Sequence, residues 1–291
     1  MGIVVLGMHR SGTSAITRVL SLLGAALPER LLGSNRGNSE GHWEPVEIVR
    51  LNGRALGEVG RRWFDWRRVR RPIASEFVPA LVQLLGLEYG DAPRFVLKDP
   101  RVCLLVPAYH QAFSDMGVDP YYLLVLRDPL AVSASLHERD KLGKEYVLLL
   151  WLRYMLEAER SSRGARRSFV HYEAMLVDWK SSLSEVVAST GLELPSDTSE
   201  VDSFLNPSHQ HHAFEVDHLP SEGALANWVS TAYSALSRLV TAAGDAAALA
   251  ELDELYLRFN EATDAIGDPM FAEIRRLQEA LTEARAKAPL G

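Results

Sequence analysis

The chain has 291 residues, 47% of them apolar and 24% charged, which excludes a largely disordered chain and suffices for one sizeable core. Its formal net charge of −7 argues against a general nucleic-acid binder, yet residues 1–100 hold 14 basic against 10 acidic side chains, so any anion site is expected in the first half. Cys103 is the only cysteine, which excludes an internal disulfide and a structural thiolate zinc site, and no apolar run approaches the roughly 18 residues that span a bilayer.

The opening MGIVVLGMHRSG is too short in apolar residues for a secretory signal, and Leu6 stands where a myristoylation signal needs Ser or Thr. A cytoplasmic location is therefore expected. Ile3–Leu6 reads as a buried strand ended by Gly7, and helical periodicity follows over Ala15–Leu23, Val46–Leu56 and Val78–Leu87. Phe95–Leu97 reads as a second strand, Val102–Met116 as a helix, and Tyr121–Leu126 as a third strand. Helices over Leu130–Leu136 and Tyr146–Ala158 precede a fourth strand at Ser168–Val170. Strands alternating with helices predict right-handed βαβ crossovers, hence an α/β fold of three layers around a parallel sheet, with ligands outside the carboxyl ends of the strands.

From about Ser181 the pattern is mostly helical, and the expected division is a domain over 1–265 followed by an amphipathic helix over 266–291. Met270, Ile274, Leu277, Leu281 and Ala284 follow 4-3-4-3 spacing on that helix. Such a seam is expected to pack within the chain, with a homodimer through this helix as the alternative.

Gly7-Met8-His9-Arg10-Ser11-Gly12-Thr13-Ser14 joins the first strand to the first helix. Glycines there allow a tight P-loop-like turn whose N–H groups converge on an anion at a helix N-terminus. Arg10 adds a cation, and Ser11, Thr13 and Ser14 add hydroxyl donors. Gly7 and Gly12 do not make a G-x-G-x-x-G fingerprint, and Thr13 stands where a Walker A loop has Lys. A loop whose cation precedes its glycine suits a 5′-phosphosulfate, which carries less charge than a triphosphate and needs no Mg²⁺. A second anion site is expected after the third strand, where Arg127 ends the strand, Pro129 suits the first turn of a helix, and Ser135 lies two turns in. An Arg127–Asp128 pair capping that helix is the alternative.

Together these segments resemble a known family. GMHRSGTS is similar to the 5′-phosphosulfate loop of sulfotransferases that use 3′-phosphoadenosine-5′-phosphosulfate (PAPS), and LLVLRDPLAVSASL resembles their 3′-phosphate motif, an Arg followed eight residues later by Ser. The resemblance spans roughly residues 1–175. It implies that Arg10, Ser11, Gly12, Thr13 and Ser14 grip the 5′ end of PAPS and that Arg127 and Ser135 hold the 3′-phosphate, with no metal required. Many members have Lys where this chain has Arg10, a change that keeps the charge but alters reach. Lys98-Asp99-Pro100-Arg101 resembles segments in which the Lys approaches the sulfuryl group, where a cation neutralises charge developing on the bridging oxygen. The family's base is a Glu or His after the phosphate-loop helix, which makes Glu44 and His42 the candidates, with Glu40 third.

The resemblance implies a sulfotransferase acting on a hydroxyl of a carbohydrate, lipid or natural product, with a small-molecule or saccharide partner and no nucleic acid. An atypical P-loop kinase and a non-enzymatic anion or nucleic-acid binding module are the alternatives. Arg61-Arg62-Trp63-Phe64-Asp65-Trp66-Arg67-Arg68-Val69-Arg70-Arg71 interleaves cations with aromatics. It reads as a solvated surface, an acceptor-site wall or a single-strand binding stretch. His209-Gln210-His211-His212 has neither the helical spacing nor the neighbouring Cys of a zinc site, and reads as a loop near the cofactor.

Overall fold

The computed structural model describes residues 1–33, 41–205 and 223–287. Four strands, β1 (Gly2–Leu6), β2 (Phe95–Lys98), β3 (Pro120–Leu126) and β4 (Arg166–His171), form one sheet of order β2-β1-β3-β4. Every pair is parallel, with Gly2 opposite both Phe95 and Pro120, and Tyr121 opposite Arg166. Both faces are covered, so the strands are continuous apolar runs, as buried parallel strands are. Val4, Leu6, Leu97, Tyr122, Leu124 and Leu126 face one core, and Ile3, Val5, Val96, Tyr121, Leu123 and Val125 face the other.

The first core is closed by α2 (Val46–Glu58), α3 (Phe77–Tyr89), α4 (Val106–Asp115), α5 (Pro129–Asp140), α6 (Lys144–Ser161), α11 (Ala224–Thr241) and the start of α12 (Ala246–Lys287). The second is closed by α1 (Thr13–Leu22), α7 (Tyr172–Val177), α8 (Trp179–Ser182), α9 (Ser184–Thr190) and α10 (Ser199–Phe204). The result is the three-layer α/β architecture expected of the sequence. Among the described residues no helix is long and apolar enough to cross a membrane.

Two expectations are corrected. The helix expected over Val102–Met116 is a 3-10 turn, Pro100–Leu104, followed by α4. Pro107 has no N–H to continue a ladder through Cys103, so the chain breaks at Leu105 and restarts. Among the described residues most of the apolar seam on the last helix is left uncovered. Ala248, Leu252, Leu255 and Phe259 of α12 are at most 4% exposed, whereas Met270, Leu277 and Leu281 of the seam are 37%, 53% and 51% exposed and Ile274 is half-buried. The helix is unbroken from Ala246 across position 265 to Lys287, and it outruns the elements it packs on.

Candidate active site

The carboxyl ends of β1, β2, β3 and β4 open onto one edge of the sheet. After β1 the backbone turns through two left-handed residues, Arg10 (φ 69°) and Gly12 (φ 83°). For an arginine that conformation costs about 1–2 kcal/mol, strain of the kind that collects at functional sites. Gly12 is required on a second ground, because a Cβ there would lie 2.0 Å from the Tyr172 ring at the end of β4. Gly12 sits at the N-cap of α1 with no side-chain cap and no acidic residue in the first turn, so the first turn carries the positive end of the helix dipole with no side chain of its own to offset it. The Ser11 hydroxyl is buried beside them without a hydrogen-bond partner. Cys103, whose thiol is pushed up to about 12 by burial, accepts the Gly7 N–H at 3.2 Å and pins the base of the turn.

The segment after β3 meets the turn after β1. Arg127 donates from Nη1 to the Arg10 carbonyl at 2.7 Å, while Arg10 donates from Nε to Ser135 Oγ at 2.7 Å across 125 residues of sequence. Arg127 also lies over the Tyr172 ring at 5.1 Å, and its Nε is buried without a hydrogen bond. Burial, then the neighbouring Arg139 and Arg127 charges, lower the Arg10 pKa from its ordinary value. Asp128 does not pair with Arg127. It caps α5, accepting the Leu130 N–H at 2.7 Å, and the acid nearest Arg127 is Glu173 at 4.0 Å.

Lys98, the last residue of β2, is 3% exposed and places Nζ 2.5 Å from Glu44 Oε1, 3.1 Å from Ser14 Oγ and 3.2 Å from the His42 carbonyl. Ser14 therefore faces this pair as well as the turn. Asp99 does not form a surface pair with Lys98. It is fully buried, accepts from Asn52 Nδ2 at 2.8 Å and from Arg101 Nη1 at 2.8 Å, and caps the 3-10 turn. Glu44 closes the loop before α2, one residue earlier than Pro45 at the N-cap. Burial raises its pKa, and Lys98 opposes that shift without cancelling it. His42 is pushed down to about 4 by burial first and by Lys98, Arg139 and Arg10 after it, so its ring is neutral at pH 7. His9 is likewise held well below its ordinary value, by burial and then by Arg101, Arg139 and Lys98. The Nε2 atoms of both histidines are buried without hydrogen bonds. Glu40 lies outside the described residues.

The basic-aromatic segment is solvated in part, at Arg62, Arg70 and Arg71, while most of its other cations are paired. Arg67 bonds Asp65 and Asp268, Arg61 faces Asp268 at 3.8 Å, and Arg68 and Arg70 both pair with Asp264. Trp66 is 1% exposed and meets Phe271 edge-on. Gly267 lets α12 approach, since a Cβ there would come 2.7 Å from Arg67 Cγ. The segment is thus a clasp to α12. One of its residues reaches the site: the Trp63 ring packs 4.7 Å from His9, and Arg139 lies 5.5 Å over the Trp63 ring. His209–His212 lie outside the described residues, among which no group of three metal-binding side chains occurs.

Several of these residues escaped the sequence reading. His9 sits inside the quoted loop motif but received no role. Tyr172 and Glu173 directly follow the fourth strand, where the rule that ligands bind beyond strand ends would have pointed. Trp63 belongs to the basic-aromatic segment, for which an acceptor-site wall is one of the readings, and Arg139 carries no motif at all.

Fold and geometry together define a parallel α/β protein whose sheet edge combines the glycine turn at the start of α1, an Arg10–Ser135–Arg127 junction and a buried Lys98–Glu44 pair. No family model matches the chain, and no curated protein does. Among solved structures it is similar to the sulfotransferase domain of the Synechococcus PCC 7002 olefin synthase, at 14% identity and a TM-score of 0.48, over 80% of this chain and 94% of that one. It is also similar to a sulfotransferase domain from the curacin biosynthetic pathway, at 13% identity and a TM-score of 0.46, over 80% of this chain and 96% of that one.

Proposed function

We propose that the protein is a sulfotransferase that moves a sulfuryl group from PAPS to an acceptor hydroxyl. The observation that carries this reading is the junction at Arg10, which touches Ser135 through its side chain and Arg127 through its carbonyl. A ligand bearing two phosphate groups at opposite ends of one nucleoside matches that arrangement, whereas a triphosphate lying along the loop makes no use of Arg127. The orphaned Ser11 hydroxyl and Arg127 Nε are the buried polar atoms such a ligand would satisfy.

The donor supplies an activated sulfuryl group, and the protein supplies alignment and charge. The first turn of α1, Ser11 and Arg10 hold the 5′ end, and Arg127 and Ser135 hold the 3′-phosphate. Lys98 offsets negative charge on the leaving side, and Glu44 takes the proton of the acceptor hydroxyl. A raised carboxyl pKa suits that task because it brings the base closer to the working pH. The unpartnered Nε2 and neutral ring of His42 favour a second assignment of the base. The pH profile separates the two. With Glu44 as base, kcat/KM rises along a limb centred above the ordinary Glu value of 4.5, and Glu44→Gln abolishes it. With His42 as base the limb falls at about 4 and survives that substitution.

The donor is tested by thermal shift with adenosine 3′,5′-bisphosphate, ADP and MgATP. A ligand at a hundred times its Kd adds about 2.7 kcal/mol of stability. Stabilisation by the bisphosphate alone supports the reading. Stabilisation only by MgATP supports a kinase, and response to none of the three, with salt-sensitive RNA binding instead, supports a binding module.

A further inference from the structure

We propose that Arg139 binds an oxyanion on the acceptor, so that the substrates are hydroxy compounds carrying a carboxylate or similar anion near the hydroxyl that is sulfonated. The inference rests on the sulfotransferase reading above and names the acceptor class it leaves open.

Ser135 and Arg139 lie one turn apart on the same face of α5. Ser135 bonds Arg10 at the anion cradle, so Arg139 is the next side chain along that face toward the end of the helix. Its guanidinium lies over Trp63, and Trp63 in turn packs on His9, the residue before Arg10. The chain Ser135, Arg10, His9, Trp63, Arg139 thus runs continuously from the donor side to a partly exposed cation.

That cation is oriented and still has binding capacity. Nε and Nη2 of Arg139 engage a single oxygen of Asp140, at 2.8 and 2.7 Å, and the side chain is 26% exposed. Among the described residues Nη1 makes no hydrogen bond, so one edge of a pre-positioned fork remains for a ligand. The titratable side chains around it reinforce the sign. His9 and His42 are held neutral, with Arg139 contributing to both shifts, and Arg10 is lowered by the same neighbour. Asp140 and Glu138 are the acids of this stretch, and Asp140 is committed to the guanidinium. An anion on the acceptor relieves this excess of positive charge, while a cationic acceptor meets repulsion. The two phosphate ends of the donor are already matched by Arg10, Arg127, Ser135 and the start of α1, which leaves Arg139 to the other substrate.

The test is isothermal titration of the full chain saturated with adenosine 3′,5′-bisphosphate. Two probe pairs differ only in charge at one position or nearly so: 4-hydroxyphenylacetate against 4-hydroxyphenylacetamide, and glucuronate against glucose. At least one anionic member is expected to bind about tenfold more tightly than its neutral partner, the ratio of one charge-assisted contact. Arg139→Gln should remove that ratio, Arg139→Lys should keep part of it, and neither should change bisphosphate affinity more than about twofold. A thermal midpoint near that of the unmutated protein confirms that both variants are folded. Equal binding within both pairs overturns the proposal, as does a loss of bisphosphate affinity in Arg139→Gln, which would move Arg139 to the donor. If the unmutated protein does not bind the bisphosphate, the donor reading fails on its own, and the probe pairs compared without it still judge the anion site.

Discussion

The Lys98–Glu44 pair offers the sharpest test of how the site is built. Both side chains are nearly inaccessible, at 3% and 6% exposure, so each substitution alone strands a polar partner inside the protein. Breaking a buried ion pair from one side costs about 3–5 kcal/mol. Glu44→Gln should fall at the low end, about 3 kcal/mol, because Lys98 keeps Ser14 Oγ and the His42 carbonyl as acceptors. Lys98→Met leaves a carboxyl that has lost the cation bonded to it and whose pKa burial already raises. A group whose pKa is higher folded than unfolded loses stability as pH rises above its ordinary value, so this variant should weaken as pH rises above 4.5. The double variant carries neither charge and should cost only about 1–2 kcal/mol, since removing both partners is often close to neutral. Additivity from two singles near 3 kcal/mol would give about 6, so the cycle should return a coupling of about 4 kcal/mol. Urea midpoints at pH 7.5 for the four proteins measure it. A double variant as unstable as the sum of the singles would refute the claim that the pair is one electrostatic unit. Under the proposed mechanism Glu44→Gln also slows turnover roughly 10²-fold or more while adenosine 3′,5′-bisphosphate still binds.

Three further outcomes are expected. Arg127→Ala should weaken adenosine 3′,5′-bisphosphate binding by about 2–3 kcal/mol in titration calorimetry, and an unchanged affinity removes the 3′-phosphate assignment. Gly12→Ala should destabilise by about 1–2 kcal/mol for its left-handed backbone and about 1–3 kcal/mol more for overlap with Tyr172. Adding Tyr172→Ala should recover the second part, and a double variant no more stable than Gly12→Ala shows that the ring is not what excludes a side chain. Because His9 and His42 have folded pKa values below 6.5, their contribution is intact above pH 6.5 and is lost as pH falls toward 4. Thermal midpoints should therefore drop across that window, and His42→Asn should flatten the slope; a slope unaltered in that variant means His42 is not held neutral by the fold.

The four strands were legible because buried parallel strands are unbroken apolar runs, and each observed strand contains its expected core, extended by one to three residues. The placement of Arg127 just past β3 and of Ser135 within α5 was legible for a related reason, since a strand end and a position two helical turns later are fixed by local geometry. The Lys98–Glu44 contact was not legible as a pair. Its members are 54 residues apart, and only the crossover that lays the loop before α2 beside the end of β2 brings them together. Arg10 shows the same limit, as its motif predicted a phosphate ligand and gave no sign that its side chain reaches α5. The exposed seam on α12 failed in the opposite direction. Its spacing is a faithful helical signal, but periodicity reports a face and not what covers that face.

The Arg61–Arg71 stretch shows how one segment serves both stability and the site. Three side chains of α6 grip its backbone: Tyr154 bonds the Trp63 carbonyl at 2.7 Å, Tyr146 the Phe64 carbonyl at 2.6 Å, and Arg153 the Trp66 carbonyl at 2.8 Å. Arg153 is itself fully buried and reaches Asn260 and Thr263 of α12, while Asp264 and Asp268 one turn further hold the arginines of the stretch. Trp63 is consequently fixed from behind by α6 and through the stretch by α12, and it presents its ring to His9 and Arg139. The wall beside the sheet edge is therefore anchored by a helix that contributes no side chain to the site, roughly 200 residues away in sequence. Since the ion pairs of the clasp are partly exposed, each is weak alone, and it is the buried Arg153 network that gives the anchor its strength.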